Sequence, residues 1–278
     1  MNKYIDIINK IISEAKMNAD FKDVPLQNIL KIHVTVIDNT VEWLGKIIPS
    51  NSNDIIVFEL FLQKSVVDDL LSNDKNQSMF AKSIIFHELY HLKEIVLTNK
   101  TINIMPIYNI TKDCTRSMLI HLGYTQWSEY YSHYNSAKFH YYIPELSECI
   151  NQSEISLTLL KQTLEKEPDI QLLEFMYNNI KAFIARSIKF VAIYNQSKDN
   201  SLLESISKYK YGKLYLPHYN FILKMTTYMD NLYQTYPNWI SEENFLIIGK
   251  ELFSIIHDYN MTYSTSDLSD NFIFISTK

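Results

Sequence analysis

Four glycines and seven prolines in 278 residues leave few places for tight turns or elaborate loops. With Ile, Leu and Tyr abundant, the chain reads as long helices joined by simple connections. The two cysteines, Cys114 and Cys149, form neither a CxxC pair nor a disulfide framework. The expectation is two free thiols in a reducing, cytoplasmic setting. Positive charge is also scarce: 26 Lys and Arg against 31 Asp and Glu give a net charge of −5. That excludes a general nucleic-acid binder, which needs a basic surface to neutralise phosphates. The cluster Lys208, Lys210 and Lys213 is too small to reverse this and reads as a solvated face. No apolar run of about 18 residues is present, so no membrane span is expected. The opening residues Met1–Asp6 lack the basic, apolar and small-residue regions of a secretory signal.

The chain does have an ordinary globular composition, 46% hydrophobic and 21% charged, with enough length for one large or two modest cores. Ile5, Ile8, Ile11 and Ile12 sit at helical spacing near the start. Alternation through Ile32, Val34, Val36 and Asp38 predicts a strand, and Thr40–Pro49 a second strand or hairpin. Asp54–Leu60 is rich in β-branched residues and predicts a third. The period then changes. Ser65–Leu71 reads as a short helix, Asn73–Asn76 as a polar break able to cap the next helix, and Gln77–Leu97 as that helix, long and with a broad apolar stripe. After a loop through Thr98–Pro106 the pattern predicts a helix ending near Gly123. Another, capped by Thr125, is expected over Gln126–Tyr142 and stopped by Pro144. From Ser153 the chain reads helical, most clearly over Ile170–Tyr194, with Leu202–Tyr209, Leu216–Tyr236 and Ser241–Tyr259 after it. Asn271–Ile275 reads as a closing strand. The expected organisation is an N-terminal region, residues 1–150, and a helical region, residues 151–278, with no linker between them.

Within the long helix stands His87-Glu88-Leu89-Tyr90-His91. Four residues apart on a helix, the two imidazoles lie about 40° apart on one face and one turn along, so both can reach one metal ion. Glu88 is about 100° round from His87, poorly placed as a ligand but well placed to take a proton from water at the metal. HExxH thus supplies two ligands and a base. With 8 His in the chain, such a motif arises by chance in about one sequence per hundred, so context decides. The motif falls inside a strong helix, among the uncharged Ile84, Ile85, Phe86, Leu89, Tyr90 and Leu92, and strands precede it.

A catalytic zinc site ordinarily has three protein ligands and an open position. No third His stands at the spacing of the extended HExxHxxGxxH motif, and the candidates for the third ligand are Glu94, His121, Glu129 and His133. Glu94 shares the face of the two His but lies about 10 Å along the axis from His87; second-sphere contact or a surface ion pair is its expected role. Glu129 is on a separate helix, on one face with Ser132, His133, Ser136 and His140, where the small serines permit close approach. Glu129 is the preferred ligand, with His133 one turn on as a group that orients it.

On these residues the chain resembles the zincin metallopeptidases, and the order of helix, strands and HExxH helix is similar to their N-terminal half. The Glu129 segment resembles the glutamate-bearing helix of gluzincins. A distant likeness is to ImmA/IrrE-type intracellular peptidases, which have Glu-x-x-Ala-Asn downstream of HExxH; here the run is Glu129-Tyr130-Tyr131-Ser132-His133, with Ser for Ala and His for Asn. Lys93 departs from the apolar residue usual in the extended pattern. The likeness covers about residues 30–140. It implies an α+β fold in which a short mixed sheet packs on the HExxH helix, and a helical C-terminal half forms the other wall of a cleft. It also implies a Zn2+ cofactor held by His87, His91 and Glu129, Glu88 as catalytic base, and a peptide or protein substrate. The alternative is a zincin-fold regulatory or protein-binding module that does not cut. On this reading Asp54–Leu60 is the edge strand to which substrate adds, and His218 or a tyrosine is available to stabilise the oxyanion. Oligomeric state is not legible.

Overall fold

The fold is seen in a computed structural model, which describes residues 2–22, 24, 33–37, 44–52, 55–103, 107, 115–139, 144–163, 170–211, 215–263 and 275–277. Helices dominate, with two small sheets: an α+β protein. The chain divides into two compact units. One comprises residues 1–100 and 131–142, the other residues 101–130 and 143–278.

The first unit begins with α1 (Asn2–Met17). Its Ile8, Ile11, Ile12 and Ala15 are buried at the three- and four-residue spacing that makes one helical stripe. Three strands come next: β1 (His33–Ile37), β2 (Gly45–Ser52) and β3 (Ile55–Gln63). Their order is β1-β3-β2, with β3 parallel to β1 and antiparallel to β2, so the sheet is mixed. On β3 the residues Phe58, Leu60 and Leu62 are fully buried, the two-residue period of a strand with one face in a core. The expectation that the third strand offers a free edge is overturned. Among the described strands β3 is central and hydrogen-bonded on both sides, with β1 and β2 on its two flanks. Strand order is set by pairing between distant residues, which local patterning does not encode.

After α2 (Lys64–Leu70) comes α3 (Lys75–Asn99), the HExxH helix. Its cap lies in the expected polar break: the Asp74 side chain accepts from the amides of Asn76 and Gln77, an arrangement worth about 1 kcal/mol. α1, α2 and β2 all pack on α3. Lys93 does not emerge freely into solvent; its ammonium donates to the Asp20 carbonyl. Tyr90, also on α3, donates to Asp20 Oδ2 at 2.8 Å, and Lys138 pairs with the same carboxylate.

The next helix, α4 (Thr115–Ser136), corrects a boundary. It runs unbroken through Gly123 and Thr125, the expected end of one helix and cap of another. Thr125 does not cap; its Oγ1 donates back to the His121 carbonyl at 2.8 Å, a bond a threonine makes inside a helix. Gly123 is tolerated inside the helix because another backbone crosses it. A Cβ built there would lie 1.9 Å from the Phe245 carbonyl oxygen. The last turn of α4, from Tyr131, belongs to the first unit and the rest to the second.

The second unit continues with α5 (Ser147–Thr163), α6 (Ile170–Ser197), α7 (Asn200–Ile206), α8 (Leu216–Thr235) and α9 (Glu243–Phe253). It closes on a two-stranded sheet, β4 (Met261–Tyr263) with β5 (Ile275–Thr277). α6 packs on both α5 and α8. Met176, Ile180, Phe183, Ile184, Ile188 and Val191 of α6 are buried at helical spacing, the expected core stripe. Among the described residues no helix is long and apolar enough to cross a membrane. Ile32, Asp38, Cys114, His140 and residues 271–274, all named in the sequence expectations, lie outside the described residues.

Candidate metal centre

His87 and His91 project from adjacent turns of α3 with their Nε2 atoms 3.0 Å apart. The rings stand edge to face, with centroids 4.6 Å apart, so both nitrogens are turned on one point. Glu129 of α4 completes the group: its carboxylate and the two imidazole nitrogens all lie within 4.8 Å of one another. It is the one set of three or more His, Cys, Asp or Glu side chains so gathered among the described residues. All three are half-buried, shielded from bulk water yet not sealed from it.

The donor set fits zinc. Two nitrogens bound to one tetrahedral zinc at about 2.0–2.1 Å are separated by about 3.3 Å, within a few tenths of the distance found. Two imidazoles and a carboxylate form one of the three-ligand combinations that leave a fourth position open.

Glu88, between His87 and His91 in sequence, is buried at 6% exposure. A charged side chain is rarely so enclosed without a partner or a task. The start of β2 encloses it. A Cβ built on Gly45 would sit 3.1 Å from Glu88 Cγ and 3.3 Å from Glu88 Oε1. The outer strand thus passes with its bare backbone against the carboxylate, an approach that a side chain at residue 45 would obstruct. Sequence reasoning missed this residue, although it carries a signal: an isolated glycine inside a strand commonly marks a close backbone approach.

The other candidates fall elsewhere. Glu94 is fully buried and accepts from Thr98 Oγ1 at 2.7 Å, which excludes the surface ion pair expected of it. Neither Glu94 nor His121 belongs to the converging group. His133 lies with its ring 4.2 Å from that of His87, which places it against the first histidine of the motif. Ser132 and Ser136 are buried, as close approach of this face requires. His218 is a core residue: its Nε2 lies 3.2 Å from Ser153 Oγ, and burial draws its pKa down to about 4. Beside it, Tyr259 donates to Glu154.

No protein-family model, curated protein or solved structure matches the chain.

Proposed function

We propose that the protein is a zinc-dependent peptidase of the zincin type, gluzincin-like in its third ligand. The observation that carries the reading is the convergence of His87, His91 and Glu129 with a buried carboxylate, Glu88, between the two histidines in sequence. A purely structural metal site has no use for such a base.

His87 Nε2, His91 Nε2 and a Glu129 oxygen would hold the ion. When bound, zinc supplies Lewis acidity, lowering the pKa of water toward neutrality and polarising a carbonyl. Glu88 accepts a proton at its carboxylate from the attacking water and returns it to the leaving amine. Burial under Gly45 confines that carboxylate to one side of α3, limiting the geometries it must search. The half-buried ligand face admits substrate while restricting water. A peptide fits the outer strand: β2 is antiparallel to β3 and packs on the HExxH helix, so an extended segment added along it lies beside the motif. This transfers to β2 the role expected of β3.

The test is zinc analysis and peptide-library digestion on three proteins. The parent should hold one zinc per chain and cut. Glu88→Gln should keep zinc and lose about 100-fold or more in turnover. Glu129→Ala should lose about tenfold or more in zinc affinity. No zinc in the parent after reconstitution sinks the metal reading. Zinc without cleavage leaves a binding module.

A further inference from the structure

Asp20 grips the side of α3 that faces away from the candidate base. Tyr90, two residues after Glu88 and about 200° round the helix from it, donates to Asp20 Oδ2 at 2.8 Å. Lys93, one turn on from Tyr90, donates to the Asp20 carbonyl. Lys138, two residues past the end of α4, pairs with the same carboxylate as Tyr90. The aromatic residues that follow Asp20 and Lys138 in sequence close on the same stripe of α3. Phe21 packs on Tyr90 with ring centroids 4.9 Å apart, and Phe139 stacks on Phe86 at 4.1 Å. Phe86, Tyr90 and Lys93 are thus held along one side of α3, while Gly45 of β2 closes on Glu88. All these residues belong to the first unit, as do His87, His91 and His133.

We propose that Asp20 is a positioning residue for the candidate metal centre: it sets the rotation of α3 about its own axis, and so the aim of His87 and His91. The proposal rests on the zinc reading above. Tyr90 stands between Glu88 and His91, so a turn of the helix that slackens its bond to Asp20 turns both imidazoles as well. An atom about 6 Å from the helix axis moves by about 1 Å when the helix rotates by about 10°. Ligating groups must be held within about 0.5 Å of their working geometry, so such a turn costs metal affinity. Lys138 carries the same restraint to the end of α4, five residues beyond His133, whose ring lies 4.2 Å from that of His87. Folding stability alone is a poor account of the arrangement. The Asp20 and Lys138 side chains are 35% and 33% exposed, and ion pairs so open to water contribute little to it.

Zinc titration and the visible bands of the cobalt-loaded protein test this without requiring turnover. Asp20→Ala removes both side-chain contacts and keeps the carbonyl that Lys93 uses. It should lower zinc affinity about tenfold or more and shift the cobalt bands. Asp20→Asn, which still offers Tyr90 an oxygen, should recover most of both changes. Tyr90→Phe should give most of the loss seen in Asp20→Ala, and the double variant should lose little more than Asp20→Ala, because the two cut one path. Zinc affinity and cobalt bands equal to the parent's in Asp20→Ala overturn the proposal. So does a fall in Tm with both of those kept, which makes Asp20 a structural residue only. Full additivity in the double variant refutes the route through Tyr90. Should Asp20→Ala fail to fold, Tyr90→Phe decides, and unchanged zinc affinity there overturns the proposal too. A parent that binds neither metal removes the zinc reading and this inference together. A parent that binds zinc with no dependence on Asp20 removes this inference and leaves the zinc reading standing.

Discussion

Gly123→Ala probes the crossing that holds the helix of Glu129. Gly123 of α4 and Gly249 of α9 approach reciprocally: a Cβ on the first would meet the Phe245 carbonyl oxygen at 1.9 Å, and one on the second would meet that of Leu119 at 1.9 Å. Both obstacles are backbone, so neither can rotate aside. An ordinary C···O contact is about 3.3 Å, which requires the helices to part by about 1.4 Å. That parting would loosen Tyr124, Trp127, Phe245 and Ile248, all buried around the crossing. Overpacking of this kind costs about 1–3 kcal/mol or somewhat more. Alanine's better helix propensity returns about 1 kcal/mol. An overlap at 1.9 Å with backbone puts the cost at the upper end, about 3 kcal/mol, so the net expectation is about 2 kcal/mol of destabilisation, a fall in Tm of about 4–8 °C for a unit of this size. Differential scanning calorimetry measures it. Since Gly249→Ala opens the same crossing, the double variant should lose less than the sum of the two single losses. A melting point for Gly123→Ala equal to or above the parent's would refute the backbone crossing, and strict additivity would refute a shared one.

Two further outcomes come from burial. His218 is drawn from 6.5 to about 4 by desolvation, with Ser153, Glu154 and Tyr259 facing it. The unfolded chain binds the proton more tightly, so the stability contributed is full above pH 6.5 and is lost as pH falls toward 4. The whole fall is worth about 3 kcal/mol. Melting curves should steepen in this window for the parent and flatten for His218→Gln; equal pH slopes would show that His218 does not titrate there. Gly45→Ala should press on side-chain atoms of Glu88 and Ile84 at 3.1 Å. Those atoms can yield, so stability should change by less than about 1 kcal/mol. On the proposed peptidase reading, the displaced Glu88 should lower kcat about three- to tenfold with zinc affinity unchanged, and lost zinc with normal kcat would contradict that reading.

The parts of this protein legible in the sequence are those fixed by local spacing. His87 and His91 are four apart, and a helix of any tertiary setting brings them to one face. Asp74 caps α3 because its side chain meets amides two and three residues on. The preference for Glu129 rests on the polar face it shares with Ser132 and Ser136, and buried serines on that face agree. The failures depend on distant residues. Gly123 and Thr125 have the local chemistry of a helix boundary, yet a second backbone at Phe245 and Gly249 makes glycine the requirement there and keeps the helix continuous. Asp54–Leu60 alternates like any strand, and nothing in it reveals that β1 and β2 both pair with it.

The scarcity of glycine has the same physical origin. None of the described glycines has a positive φ, so none is kept for a left-handed turn. Each is kept for space. Gly123 and Gly249 remove the side chains that would hold two helices apart, and Gly45 removes the one that would hold a strand away from Glu88. A chain built of long helices with plain connections needs few turn glycines, and the three described ones mark where backbone comes closest. One of these places lies over the candidate base, and another lies on the helix that carries the candidate third ligand, Glu129. Adding a Cβ at either place therefore tests the candidate site through its supports, while leaving His87, His91, Glu129 and Glu88 chemically intact.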